Sequence, residues 1–164
     1  MTSESDRADA FAAVAALLWD EREALEQLLF KLVEEQLILV SGSTRWLNRA
    51  DAEVRASVTA LRASEVMRAA EVDGLSRRLD LPVETTLGEL AEQAPEPWPL
   101  VLIEHRDALR ELVVQIDAVA AENRRLLVAS AHAVSETLAG LHLSSQTYES
   151  LGSASSGYPH LVDE

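Results

Sequence analysis

The longest periodic stretch of the sequence, from Pro99 to about Leu143, limits the possible fold more than any other feature. In its first half apolar residues recur every seven positions, beginning at Leu102. After Asn123 the apolar line shifts by four residues, so the seam drifts around the helix. The spacing predicts one long helix with two apolar faces. The second face comprises Leu127, Ala131, Val134, Leu138 and Leu141.

Charge is distributed unevenly along this predicted helix. Residues 104–125 are rich in Asp, Glu and Arg, whereas residues 126–143 include only one charged residue, Glu136. A helix with so little charge on any side should be buried more completely than two neighbouring helices can achieve. The pattern indicates a surface for a partner, and the alternative is a last helix that the first two cover.

Two further long helices precede this one. The first carries a regular heptad of apolar residues. A short break follows, in which Gly42 can take a left-handed turn and Ser43 can cap the next helix. The second helix runs from about Thr44 to Leu79, and its apolar stripe weakens between Arg62 and Glu71. So short a connection predicts antiparallel neighbours. The heptad of the first helix is Phe11, Leu18, Leu25, Leu32 and Leu39.

The remaining segments complete an all-α plan. Thr86 and Glu89 form a capping-box pattern that predicts a short helix through Ala94, and prolines surround Trp98, whose ring we expect to pack against the bundle. We therefore predict an antiparallel bundle of three long helices with coiled-coil-like packing and one short helix before the last long one. Residues 1–143 form this domain, and Ser- and Gly-rich residues 144–164 form a disordered tail.

Composition excludes several functional classes. The net charge of −14 repels nucleic acid and anionic membranes, and no apolar run is long enough for stable membrane insertion. There is no cysteine, so neither a disulfide framework nor a thiolate metal site is expected. The acidic N-terminus lacks the pattern of a signal peptide, which predicts a cytoplasmic protein.

Catalytic patterns are missing from the sequence. The four histidines are scattered, and none has the Glu three positions earlier that a di-iron bundle requires. We expect no enzyme activity, cofactor or metal, and we expect His132 and Glu136 to form an ordinary surface pair. The acidic groups around Glu21 and Glu35 are predicted to face solvent. Asn123 lies at a seam position, where it either fixes helix register or contacts a partner.

Three segments carry a resemblance to a known family: LLWDEREALEQLLFKLVEEQLILVSGS, TLGELAEQAPEP and AENRRLL. Over residues 11–143 the chain resembles the FlgN family of flagellar export chaperones. The resemblance implies binding of hook–filament junction (hook-associated) proteins and their delivery to the flagellar type III export apparatus. It also implies that a groove on the last helix receives the partner's amphipathic C-terminal helix. The implied partner-binding residues are Asn123, Leu126, Leu127, Val134, Leu138 and Leu141.

Two alternatives stay open. The resemblance implies that Tyr148 docks to the export gate, whereas an ordinary position in the tail is the other interpretation. The second functional hypothesis is a structural or scaffolding coiled-coil protein. Such a protein would self-associate through its exposed seam and form a homo-oligomer when free.

Overall fold

The computed structural model describes residues 4–82 and 84–154, with side chains described as far as residue 140. Within these ranges the regular structure consists of four helices and no strand, which confirms the predicted all-α fold. None of the helices in the described part is long and apolar enough to cross a lipid bilayer. The chain divides into two compact units, residues 1–124 and 125–164. The helices are α1 (Glu4–Ser41), α2 (Thr44–Arg78), α3 (Leu87–Glu92) and α4 (Trp98–Ala154).

The heptad of α1 forms the inner face of the first unit. Phe11 and Leu18 are fully buried, and Leu25 and Leu32 are buried as well. Leu39, the last member of the heptad, is half-buried. Burying one such side chain contributes about 1.5–3 kcal/mol. The predicted coiled-coil-like seam of α1 is therefore confirmed over its first four positions.

α1 and α2 are antiparallel. Glu21 pairs with Arg68, and Lys31 Nζ lies 2.7 Å from Glu53 Oε2, so residue numbers rise along one helix as they fall along the other. The chain reverses at Gly42, whose φ of 69° lies in the left-handed region that glycine adopts without strain. Ser43 precedes α2 as predicted, but its side chain makes no capping hydrogen bond.

The part of α4 within the first unit runs parallel to α1. Near its start, the rings of His105 and Trp19 meet edge to face with centroids 4.9 Å apart. Farther along, Asn123 Nδ2 donates a hydrogen bond to Leu32 O at 2.8 Å. Because α2 is antiparallel to α1, it is also antiparallel to this part of α4. Within the first unit, α1, α2 and this part of α4 thus form the predicted antiparallel bundle.

The main core lies where the first half of α1 meets the end of α2, α3 and the start of α4. Trp98 is partly buried against this core, which confirms its predicted packing role. The short helix α3 supplies Leu90, which is fully buried, and so closes this end of the bundle. The core residues are Ala10, Phe11, Val14, Leu18, Val72, Leu75, Leu90, Ala91 and Leu102.

The capping box predicted at the start of α3 is confirmed. Thr86 Oγ1 accepts a hydrogen bond from the Glu89 backbone N–H at 3.2 Å, and Glu89 Oε2 accepts one from the Thr86 backbone N–H at 2.7 Å. This backbone hydrogen bond lowers the pKa of the Glu89 carboxyl, because it stabilises the charged form. The helix ends at Glu92, slightly earlier than the predicted Ala94.

The structure differs from the sequence prediction at the end of α4. The helix continues to Ala154, past Leu143, where the apolar periodicity stops. Residues 144–151 contain neither proline nor glycine, so nothing local forces the helix to end there. The rest of the predicted disordered tail, residues 155–164, lies outside the described residues.

Candidate partner-binding surface

The described side chains of the second unit present apolar groups to solvent. Leu127 is 37% exposed, Val134 56% and Leu138 53%. They follow one another at intervals of seven and four residues, so they lie on one face of the helix. Leu126 is half-buried. Exposed leucine and valine in one row are unusual for a helix without a partner, since apolar surface of this kind is normally removed from water.

Charge is nearly missing from the same stretch. Between residues 126 and 140 the only acidic or basic residue apart from His132 is Glu136. The two side chains form a pair one helical turn apart, with His132 Nδ1 3.7 Å from Glu136 Oε2. Both are more than 70% exposed, which agrees with the predicted surface pair. The pair lies on the side of the helix opposite Leu127 and Leu138, so no charge interrupts the apolar row.

A shallow depression of about 300 Å³ lies on this surface. Val134 and Leu138 line it together with Ser130, Ala133 and Thr137. The Thr137 hydroxyl donates to Ala133 O at 2.9 Å, so its donor is already satisfied within the helix. With no titratable group in its lining, the depression is suited to receive an apolar side chain rather than to perform acid–base chemistry.

Asn123 lies in the first unit, and its side chain is buried at 2% exposure. Besides its bond to Leu32 O, Asn123 Nδ2 donates to Glu35 Oε2 at 2.9 Å. Both amide hydrogens are therefore used within the bundle, and they fix the height of α4 against α1. Of the two roles that the sequence leaves open for Asn123, these hydrogen bonds favour the setting of helix register.

The acidic groups of α1 correct one prediction. Glu21 and Glu35 are each only 6% exposed, so they do not lie on solvated faces. Each has a polar partner on another helix, Arg68 for Glu21 and Asn123 for Glu35. The sequence contains a signal for this burial, because both glutamates fall at multiples of seven from the buried Val14.

The segment has one further exposed valine off the row, and the side chains of two predicted residues are not described. Val128 is 71% exposed but lies about 100° around the helix from Leu127, so it does not belong to the row. The side chains of Leu141 and Tyr148 lie outside the described residues. In the described part of the chain, no group of three or more His, Asp or Glu side chains is placed to hold a metal ion.

Comparison with known proteins agrees with this architecture. A family model described as FlgN protein matches residues 1–156. No protein of established function and no solved structure shows significant similarity to the chain. The family match extends over all four helices and includes the exposed apolar row. The chain therefore belongs to the FlgN family of flagellar export chaperones.

Proposed function

We propose that this chain is a cytoplasmic chaperone that binds the C-terminal amphipathic helices of hook–filament junction proteins. It prevents their premature association and delivers them to the flagellar type III export apparatus. The observation that carries the proposal is the exposed row of Leu127, Val134 and Leu138 in a segment almost free of charge. An amphipathic helix buries its apolar face in a groove of this kind.

The size of the apolar row is consistent with a chaperone that later releases its cargo. Burying one leucine or valine contributes about 1.5–3 kcal/mol. A few such side chains, together with Leu126 and Leu141, offset the entropy lost when two proteins associate. The surplus is modest, so the complex can dissociate when it reaches the export apparatus.

Asn123 has a different role in this proposal. Its buried hydrogen bonds to Leu32 and Glu35 hold the helix in register three residues before Leu126. Asn123 is thus a positioning residue for the binding surface, and the junction-protein helix is contacted by Leu126, Leu127, Val134, Leu138 and Leu141.

A double charge substitution tests the surface. Leu127→Asp with Leu138→Asp removes two apolar anchors and places carboxylates where the partner's apolar face would lie. Losing about 4 kcal/mol of burial weakens binding about a thousandfold. Calorimetric titration with the C-terminal helix of a hook–filament junction protein measures this loss, and circular dichroism checks that helicity is retained.

The matched control is Ala129→Asp with His132→Asp, which puts two carboxylates on the opposite face of the same helix. This control should bind with the affinity of the natural chain. If the variant Leu127→Asp with Leu138→Asp also bound with the affinity of the natural chain, that result would contradict the proposed surface. If the free chain instead forms an oligomer that the junction-protein helix does not convert to a 1:1 complex, the scaffolding hypothesis is favoured.

The same proposal assigns Tyr148 to docking at the export gate, on the resemblance of QTYESLG to the family pattern. In calorimetric titration, Tyr148→Ala should keep the affinity for the junction-protein helix. In cells, the same variant should lower secretion of the junction protein. Unchanged secretion would leave Tyr148 without this role.

A further inference from the structure

The first unit contains a second apolar groove, with a volume of about 590 Å³. Side chains from all four helices line it, and every one of them belongs to residues 1–124. The lining includes Leu25 of α1 and Leu87 of α3. The groove is therefore separate from the apolar row of the second unit.

The sequence of α2 explains why this groove is open. Glu65 and Arg68 occupy positions where the apolar stripe of α2 should continue, and both line the groove. Arg68 turns toward α1 and pairs with the buried Glu21. A wall of charged side chains gives α4 no apolar surface to pack on, so the apolar side chains of α4 stay uncovered in the middle of the bundle.

The wall formed by α4 has the spacing of a helix-binding surface. Leu109 lines the groove one turn before the adjacent Val113 and Val114, and Val113 and Val114 are 45% and 68% exposed. The lining residues of α4 span Arg106 to Val114, which is about 12 Å of helix. Two turns of another helix lying along α4 would cover this length and remove the valines from water.

The charge of the groove differs from that of the whole chain. Acidic residues outnumber basic ones by 28 to 14 overall, whereas the groove is lined by three arginines and two glutamates. Arg68 neutralises Glu21, which leaves Arg106 and Arg110 against Glu65, an excess of one positive charge. Arg106 pairs with Asp107, whose side chain is 56% exposed, and such a surface pair contributes little free energy. Arg106 and Arg110 are thus placed to pair with acidic groups of a partner.

We propose that this groove docks an acidic amphipathic helix of a partner protein. The helix lies along α4 with its apolar side chains over Leu25, Leu109 and Val113. Its flanking carboxylates pair with Arg106 and Arg110. A basic helix would meet these two guanidinium groups with like charge, so the groove selects against it.

Two synthetic helical peptides test the charge preference. Both carry leucine at heptad positions a and d, one has glutamate at e and g, and the other has lysine there. The field of a chain with net charge −14 attracts the lysine peptide, so only local contacts can favour the glutamate peptide. We expect fluorescence anisotropy to show that the glutamate peptide binds the full chain at least about tenfold more tightly.

Variants locate the binding. Arg110→Glu and Val114→Glu change exposed positions, and each should lower the affinity for the glutamate peptide about tenfold. Arg55→Glu reverses a charge on a side chain that is 77% exposed elsewhere on α2, and should have no effect. Leu127→Asp with Leu138→Asp should have no effect either, which separates this groove from the junction-protein site.

Several results would overturn the proposal. Binding of neither peptide, equal or tighter binding of the lysine peptide, or unchanged binding by the Arg110 variant would each do so. Self-association of the free chain that Val114→Glu abolishes would assign the groove to a second copy instead. Loss of glutamate-peptide binding on deletion of residues 155–164 would assign it to a surface that includes that segment.

Discussion

Individual polar residues at seam positions decide much of the geometry of this bundle. Asn123 and Glu35 bond to each other inside the first unit, and Glu21 bonds to Arg68. Burying these groups costs solvation, which their mutual hydrogen bonds offset only when the helices are in one particular register. The pairs therefore select one arrangement of α1, α2 and α4 among the several that leucine seams alone would allow.

His105 makes the stability of the fold depend on pH. Its side chain is buried against Trp19, and burial lowers the pKa of the imidazole below the ordinary 6.5, as does the nearby guanidinium of Arg22. Neutral His105 thus contributes stability that is fully present above pH 6.5 and is lost as the pH falls through the lowered pKa. Urea unfolding at pH 7.5 and 5.5, values about one unit on either side of the ordinary pKa, should show a smaller free energy of unfolding at the lower pH.

Two histidine variants separate this effect from the titration of other groups. His105→Leu cannot be protonated at this position, so the difference between the two pH values should shrink. His132→Gln changes a histidine that is 74% exposed and should keep the full difference. The same pH dependence in the His105 variant as in the natural chain would show that another group is responsible.

At the scale of the helices, α2 is held to α1 partly by charge. The apolar stripe of α2 weakens between Arg62 and Glu71, and Arg68 compensates by pairing with Glu21. The side chain of Arg68 is 26% exposed and that of Glu21 only 7%, so the carboxylate depends on this guanidinium for its neutralisation. A second contact, from Lys31 to Glu53, lies closer to the turn. Hydrogen bonds with Glu34 and then Glu53 raise the pKa of Lys31, which keeps the amine charged.

Arg68→Ala should therefore destabilise the fold by about 3 kcal/mol, because it leaves Glu21 buried without a partner. The matched control is Arg77→Ala, which breaks a pair on the same helix whose side chains are 72% and 47% exposed. That control should cost less than about 1 kcal/mol. Urea unfolding measures both, and a similar small loss for the two variants would show that Glu21 does not depend on Arg68.

For the whole molecule, the sequence predicts helices better than it predicts their polar contacts. The long helices, the turn at Gly42 and the capping box at Thr86 follow from local spacing and local chemistry, and the structure has them. The heptad spacing marks Glu21 and Glu35 as seam positions, but their partners lie 47 and 88 positions away, and no local pattern identifies those partners. The sequence prediction ended α4 at Leu143, where the apolar periodicity stops. A helix can continue without that periodicity, and α4 does so as far as Ala154.

The candidate surface could be predicted in part. The low charge of residues 126–143 indicated the exposed row of Leu127, Val134 and Leu138, since charge content is visible in a sequence. The exposure of Val128, which lies off this row, was missed because it falls outside the seven-residue spacing. The groove beside α4 in the first unit was also missed, because it depends on how far α2 and α4 are separated, which is a property of three packed helices.

The most direct test of the central claim is amide hydrogen exchange of the chain with and without the C-terminal helix of a hook–filament junction protein. The exposed segment around Leu127 to Leu138 has few buried contacts, so its free amides should exchange quickly. Binding should slow exchange at residues 126–138 by about tenfold or more, since opening must then break the new contacts. Unchanged exchange in this segment, at peptide concentrations that saturate the chain, would contradict the claim that this surface receives the partner helix.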